Sequence, residues 1–304
     1  MEQPREKYTI VGIGEVLWDI YRDRRHVGGT PANFTIHATQ LGDEGVLVSR
    51  VGDDGMGRDL IRALRQRQLM TECIQVDDKR GTGTIMISLD IKGVPTFRCS
   101  HDVAFDYLQY LPELETLASR ANAVLFGTLA QRSPIARQTI RRFVSVAKNA
   151  VRLFNVNSRA SVAEMQHIVP ESLAMADILQ MNHEEMKLLQ ILFRREADPP
   201  RKFIDFLFKK YDLKMVAITH GESGCELFDG SGVSIVDGLP VQVIDTTGAG
   251  DAFAAGMMHK FLRNAPLDEI AEFANLLGAF LCTQSGATPV FRRQDIEIFR
   301  DSYE

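Results

Sequence analysis

Val243-Ile244-Asp245-Thr246-Thr247-Gly248-Ala249-Gly250-Asp251-Ala252-Phe253 reads as the end of a strand, a glycine-rich turn and the start of a helix. Val241 and Val243 alternate as in a strand. Phe253, Met257 and Phe261 then recur every four residues, which predicts a helix starting near Gly250 with that face buried. A helix N-terminus presents unpaired N–H groups and a partial positive charge. Gly248 and Gly250 let a ligand come close to the backbone. Gly248, Ala249 and Gly250 therefore form a candidate anion hole suited to phosphate. Asp251, in the first helical turn, is a carboxylate beside that hole. It can accept the proton of a hydroxyl attacking a phosphoryl group, although an acid in a first turn is also ordinary helix chemistry.

Outward from this turn the chain alternates short apolar runs with amphipathic stretches, the pattern of βα units around a mostly parallel sheet. YTIVGIG, GVLVSRVG, AVLFG, RLFNVN, ADILQMN and KMVAIT read as strands. Thr30-Pro31 opens a helix with Thr30 as its cap and Gly42 as its stop. LDEIAEFANLLGAFLCTQ is apolar nearly all round and should be largely buried. One segment breaks the rhythm: Ile85, Ile87, Leu89 and Ile91 alternate with Thr84, Met86, Ser88 and Asp90. With Lys92-Gly93 as its turn this predicts an antiparallel hairpin, a flap, edge or dimer surface on an α/β chain.

Three further segments carry candidate chemistry. Thr219-His220-Gly221-Glu222-Ser223-Gly224 follows a strand, at the sheet edge where open α/β sheets bind ligands. Thr219 offers a hydroxyl, and Gly221 and Gly224 admit a nucleotide, but a tight strand-to-strand turn has the same pattern. Asn182 and Glu185 stand one helical turn apart after another strand. They could hold a hydrated Mg²⁺ or simply form a capping box. Asp19, Gly28, Gly29 and Asn33 supply the hydrogen-bonding groups and open backbone that a polyol needs.

Composition sets the bounds. The chain has 304 residues, 45% hydrophobic and 25% charged, with 35 basic and 40 acidic residues for a net charge of −5. That excludes wholesale disorder and gives no bulk charge for nucleic acid or an anionic membrane. Cys73, Cys99, Cys225 and Cys282 form no CxxC pair and read as reduced thiols. With no apolar run of membrane-spanning length and no secretory leader, the expectation is a cytoplasmic protein. Leu17 stands where a dinucleotide fingerprint needs its third glycine, and no glycine precedes a lysine as in a Walker A loop.

Taken in order, these segments resemble the pfkB (ribokinase-like) family of carbohydrate kinases. GGTPANF and VGDDGMG form the N-terminal signature and DTTGAGDAFAAG the C-terminal one, with NHEE and ITHGESG between them, from about Tyr8 to Pro289. The resemblance implies a three-layer α/β fold, one domain over 1–304, with a β lid formed by about 19–27 and 82–100. It implies transfer of the γ-phosphoryl of ATP, with Mg²⁺, to a sugar or nucleoside hydroxyl. Asp251 is then the base and Gly248, Ala249 and Gly250 the anion hole. Thr219, Gly221, Gly224 and Asn275 line the nucleotide site, while Asn182 and Glu185 organise phosphate and Mg²⁺. Many members bind K⁺ beside the anion hole, where Asp245 and Thr247 match. Asp19, Gly29 and Asn33 match the sugar positions, and Arg159 matches an Arg that can lie near the phosphates or the substrate. Arg98 on the hairpin is either a substrate contact or a solvated arginine.

GGTPANF, LAQRSP and FNVNSR are closest to the fructokinase-like branch, so fructose or a related hexose is the expected substrate. Kinases of 2-keto-3-deoxygluconate, ribose or nucleosides are the alternatives. GGTPANF lacks a basic residue to grip a second phosphate, which disfavours a sugar phosphate. The branch has Asp-x-Asn-x-Arg where this chain has Asn155, Asn157 and Arg159. The missing charge at Asn155 is the single local feature favouring a non-catalytic sugar sensor or scaffold. An exposed hairpin edge tends to be covered, and a homodimer through the lid follows as the expectation.

Overall fold

The computed structural model describes residues 7–89, 95–158 and 162–303. The chain begins with β1 (Thr9–Ile13), then a hairpin of β2 (Leu17–Ile20) and β3 (Arg25–Gly28). Helix α1 (Thr30–Gln40), β4 (Glu44–Gly52), α2 (Gly55–Gln66) and β5 (Ile74–Asp77) follow. A second hairpin, β6 (Thr84–Leu89) and β7 (Pro95–Cys99), interrupts the alternation. It resumes with α3 (Glu113–Arg120), β8 (Ala123–Gly127), α4 (Pro134–Val146), β9 (Val151–Asn155), α5 (Val162–Leu173) and β10 (Ile178–Asn182). Then come α6 (His183–Leu192), α7 (Pro200–Tyr211), β11 (Met215–Thr219), β12 (Cys225–Phe228) and β13 (Val233–Val236). Helices α8 (Ala249–Phe261), α9 (Leu267–Cys282) and α10 (Arg293–Asp301) complete the fold.

The large sheet runs β13-β12-β11-β10-β9-β8-β1-β4-β5, with β12 and β13 antiparallel and the rest parallel. Strands fully covered on both faces read as continuous apolar runs, as VLF in β8 and VAI in β11 do here. Alternate residues of each strand enter different cores. Leu179 and Met181 pack with α3 to α7, whereas Ile178, Leu153 and Leu125 pack with α1, α8, α9 and α10. The chain leaves β1 in one direction for β4 and β5, and later in the other through β8 to β11. Such a reversal leaves a crevice beyond the C-terminal ends of the strands.

The two hairpins join as a second sheet, β3-β2-β6-β7, through a parallel β2–β6 pairing. Its inner face contributes Leu17, Ile85 and Ile87 to the core. A buried ion pair anchors it: Arg132 donates to both oxygens of Asp106, at 2.8 and 2.9 Å, and to the Ser100 carbonyl at 2.6 Å. The Lys92-Gly93 turn lies outside the described residues.

Two local expectations change. No strand forms over 237–247, so Val241 and Val243 do not end one. That run is irregular and walls a cleft. The cap of α1 is Gly29 at φ 103°, not Thr30, which already lies in the helix. A Cβ on Gly29 would fall 2.6 Å from the Glu15 carbonyl, so the chain enters this helix through a glycine.

Candidate active site

Gly248 caps α8 at φ 81°, and a Cβ there would also strike Ala287 at 2.8 Å. Only glycine fits on both counts. A Cβ on Gly250 would meet nothing within 4 Å. That open side faces two adjoining cavities, because Gly250 and Thr219 line both. The Ala249 amide closes a long turn on the Thr246 carbonyl at 3.3 Å. The Asp251 amide bonds back to Gly248 at 3.0 Å. The turn is braced from outside: Asp245 accepts from the amides of Thr247 (2.9 Å) and Gly286 (3.1 Å). His37 Nε2 lies 3.0 Å from the Ala287 carbonyl, and Arg67 donates to the Thr288 carbonyl at 3.2 Å.

The smaller cavity, about 180 Å³, lies between the two sheets. Glu15, Asp19, Gly29, Asn33, Asn155, Asn157, Gln180, Asn182, Glu185 and Asp251 contribute to its wall. Asn33 Nδ2 donates to Asp251 Oδ2 at 2.8 Å, which holds the carboxylate at the wall of this cavity beside the Gly248–Gly250 turn. Asp19 lies against Gly28, where a Cβ would overlap its carboxylate. Asn157 donates to Thr30 Oγ1 at 2.6 Å. Glu15 is buried, and its Oε2 has no hydrogen-bond partner among the described residues. Burial, reinforced by the charge of Asp251, pushes its carboxyl up to about 7, against main-chain hydrogen bonds that pull it down.

The larger cleft, about 690 Å³, runs from Thr219 along the 237–247 segment to α9. Gly221, Gly224 and Gly238 floor it, while Val241, Val243, Phe253, Ala279 and Cys282 give apolar walls. Gly278 and Ala279 explain why α9 is apolar nearly all round: one face packs on α8 and another borders the cleft. Asn275 stands in this wall and donates to the Asp237 carbonyl at 3.0 Å. The 219–224 segment joins antiparallel β11 and β12 as a strand-to-strand turn, and its glycines also line the cleft.

Asn182 and Glu185 do form the capping box of α6. The Glu185 amide donates to Asn182 Oδ1 at 2.8 Å, and the Asn182 amide to Glu185 Oε2 at 2.9 Å. Glu185 Oε1 also accepts from the Ser158 amide at 2.9 Å. The box nonetheless borders the smaller cavity. Among the described residues no group of three or more His, Cys, Asp or Glu could hold a metal ion by itself. Thr247 Oγ1 is paired with Tyr21 OH of the β2–β3 turn at 3.2 Å.

Arg98 is not brought to the cavity. It pairs with Met86, on the opposite side of its strand from the cavity residue Ile85, and is exposed. Arg159 lies outside the described residues. Glu15, Thr30 and Gln180 belong to the cavity without having been singled out. Gln180 had a signal, as a lone amide inside the apolar strand ILQM.

A mostly parallel sheet ending in a glycine-rich helix start, where two cavities meet and a second small sheet borders one of them, defines a ribokinase-like α/β protein. The pfkB family carbohydrate kinase model matches residues 13–292, and the chain belongs to this family of carbohydrate kinases. It is similar to the uncharacterized sugar kinase PH1459 of Pyrococcus horikoshii, 30% identical over 97% of this chain and 96% of that one. The structure of PH1459 in complex with ATP matches with a TM-score of 0.81, covering 95% of this chain and 99% of that one. Fructokinase-2 of Zea mays is 26% identical over 92% of this chain and 90% of its own. An Escherichia coli structure holding ATP and Mg²⁺ is 22% identical, covers 98% of this chain and 100% of that one, and has a TM-score of 0.84. At that identity it speaks for the fold alone. No helix among the described residues is long and apolar enough to cross a membrane.

Proposed function

We propose that the protein transfers the γ-phosphoryl group of ATP to a hydroxyl of fructose or a related hexose. One observation carries the reading: Gly250, at the start of α8, lines both the polar cavity and the apolar-walled cleft, and its neighbour Asp251 lines the polar cavity. The cleft takes the nucleotide, with Thr219, Gly221 and Gly224 along its phosphates and Asn275 at the base end. The cavity takes the sugar, held by Asp19 and Asn33 against the open backbone of Gly29. Asp251 accepts the proton as the hydroxyl attacks, a role in which positioning outweighs basicity. The amides of Gly248, Ala249 and Gly250 offset charge on the transferring group, the Ala249 amide after giving up its long turn bond.

The donor set around Glu185 suits a hydrated Mg²⁺ rather than a caged one, since both its oxygens already accept main-chain N–H groups. When bound with ATP, Mg²⁺ neutralises phosphate charge. Asp245 accepts the amides of Thr247 and Gly286, and K⁺ is not part of this reading. The small sheet, whose Leu17, Asp19 and Ile85 border the cavity, acts as a lid that keeps water from the phosphoryl group.

Maize fructokinase-2 and the GGTPANF segment favour fructose. An ATP-coupled phosphorylation screen with Mg²⁺ over fructose, other hexoses, ribose, 2-keto-3-deoxygluconate and nucleosides tests it. Strongest turnover on fructose or a hexose is expected. Strongest turnover on another class would overturn the substrate, and ATP binding with no transfer to any acceptor would overturn catalysis.

A further inference from the structure

Gln180 and Asn155 take positions where the strand pattern would bury hydrocarbon. They are register partners on β10 and β9, and Ile178 and Leu153, two residues earlier on the same face, lie in the apolar core beneath α8. Gln180 is 3% exposed and Asn155 8%. Buried amides are costly unless bonded, and these are bonded in series. Asn155 Nδ2 donates to Gln180 Oε1 at 3.1 Å, and Gln180 Nε2 donates to the Gly250 carbonyl at 2.8 Å. Gly250 adjoins Asp251 and borders both cavities.

We propose that Gln180 is a positioning residue for phosphoryl transfer. It ties the first turn of α8 to the sheet, setting where the anion hole and Asp251 stand relative to the sugar, and Asn155 fixes which end of Gln180 faces the helix. The inference rests on the reading of Asp251 as base. It also accounts for the amide at 155. A Gln side chain has one donor end and one acceptor end. The Gly250 carbonyl requires the donor, so the acceptor faces 155, and residue 155 must donate. A carboxylate there cannot. If Gln180 turned over to satisfy the carboxylate, its own carbonyl would oppose that of Gly250. Asn155 is therefore the matched partner of Gln180, and the missing charge is no sign of lost activity.

The test compares wild type with Asn155→Asp, and with Asn155→Asp combined with Gln180→Lys, whose ammonium can donate in both directions. Two readouts are taken: amide hydrogen exchange over 251–254, and kcat and KM on the best acceptor. Asn155→Asp should speed exchange about tenfold, the loss of one ordinary hydrogen bond. It should lower kcat by up to about 10²-fold, as a misplacement of about 1 Å does, with KM for ATP little changed. The double substitution should restore both. If Asn155→Asp does not fold, Gln180→Met, of similar length but without a donor, should show the same two losses. Unchanged exchange in Asn155→Asp would overturn the proposal, even with lower kcat, since residue 155 would then act on substrate directly. Losses that the double substitution leaves in place would overturn the matching. If wild type transfers no phosphate to any acceptor, the kinase reading fails, while the exchange comparison still decides the tie to α8.

Discussion

Replacing Glu15 by Gln removes a charge that burial strongly disfavours. The side chain is 1% exposed, and burial first, then the neighbouring charge of Asp251, raises its midpoint from 4.5 to about 7. The unfolded chain releases this proton near 4.5 and the folded chain near 7. Between those values the folded state holds more protons, so stability falls as pH rises and the loss is complete above 7. Converted at the usual free energy per pH step, that loss is about 3 kcal/mol. Gln matches the protonated carboxyl in shape and carries no such penalty.

His37 works in the other direction. It is fully buried, and burial lowers its midpoint from 6.5 to about 4 against the hydrogen bond to Ala287. On acidification the unfolded state takes up the proton first, so stability falls as pH drops from 6.5 to 4, again by about 3 kcal/mol. The native protein thus carries two opposing slopes between 4.5 and 6.5, and Glu15→Gln leaves the His37 slope alone. Denaturant melts of both proteins from pH 4.5 to 8.5 check this. The variant should be more stable by about 3 kcal/mol at pH 8.5, some 5 °C in Tm for a chain of this length, and indistinguishable near pH 4.5. A difference that stays constant with pH, or a variant that loses stability as pH rises, would refute the reasoning.

Asp251→Asn should fold and bind ATP but lose at least ~10²-fold in kcat; near-native turnover removes Asp251 as base. Gly250→Ala meets no protein atom, so its Tm should stay close to wild type while ATP binding weakens in calorimetry. Gly248→Ala should instead lower Tm, because the methyl meets Ala287 and the φ is left-handed. Asp106→Ala strands the buried Arg132 guanidinium and should cost about 3–5 kcal/mol in urea unfolding. A cost under 1 kcal/mol would mean that the pair does not anchor the second hairpin.

Much of this arrangement was legible because local rules and the fold agree. Six of the seven parallel strands from β1 to β11 announce themselves as apolar runs, the short β5 being the exception, and the hairpin at β6 by its period of two. The turn at Gly248–Gly250 was readable because a left-handed cap and an open Cα both demand glycine. The segment 237–247 misled: Val241 and Val243 alternate as in a strand, yet their apolar side chains border a cleft and no neighbouring strand is there to pair. Thr30 misled as a cap because the carbonyl of Glu15, far away in sequence, left room only for Gly29. Capping and ligand readings of Asn182 and Glu185 could not be separated in sequence, since the same side chains both cap the helix and border the cavity. The partners of Asn155 were invisible for another reason: hydrogen bonds between neighbouring parallel strands leave no periodic trace in the chain.

The bracing of the Gly248–Gly250 turn has a consequence for biosynthesis. Gly248 packs on Ala287, and the carbonyls of 287 and 288 are held by His37 and Arg67, more than two hundred residues earlier. A nascent chain that ends before residue 286 can build the sheet through β13 and the whole of α8. It still lacks the floor under Gly248 and the bond from the Gly286 amide to Asp245. Domains fold as the chain emerges, at about 5–20 residues per second. The Gly248–Gly250 turn is therefore among the last parts to be braced, and truncated translation products should have the sheet without the complete candidate site.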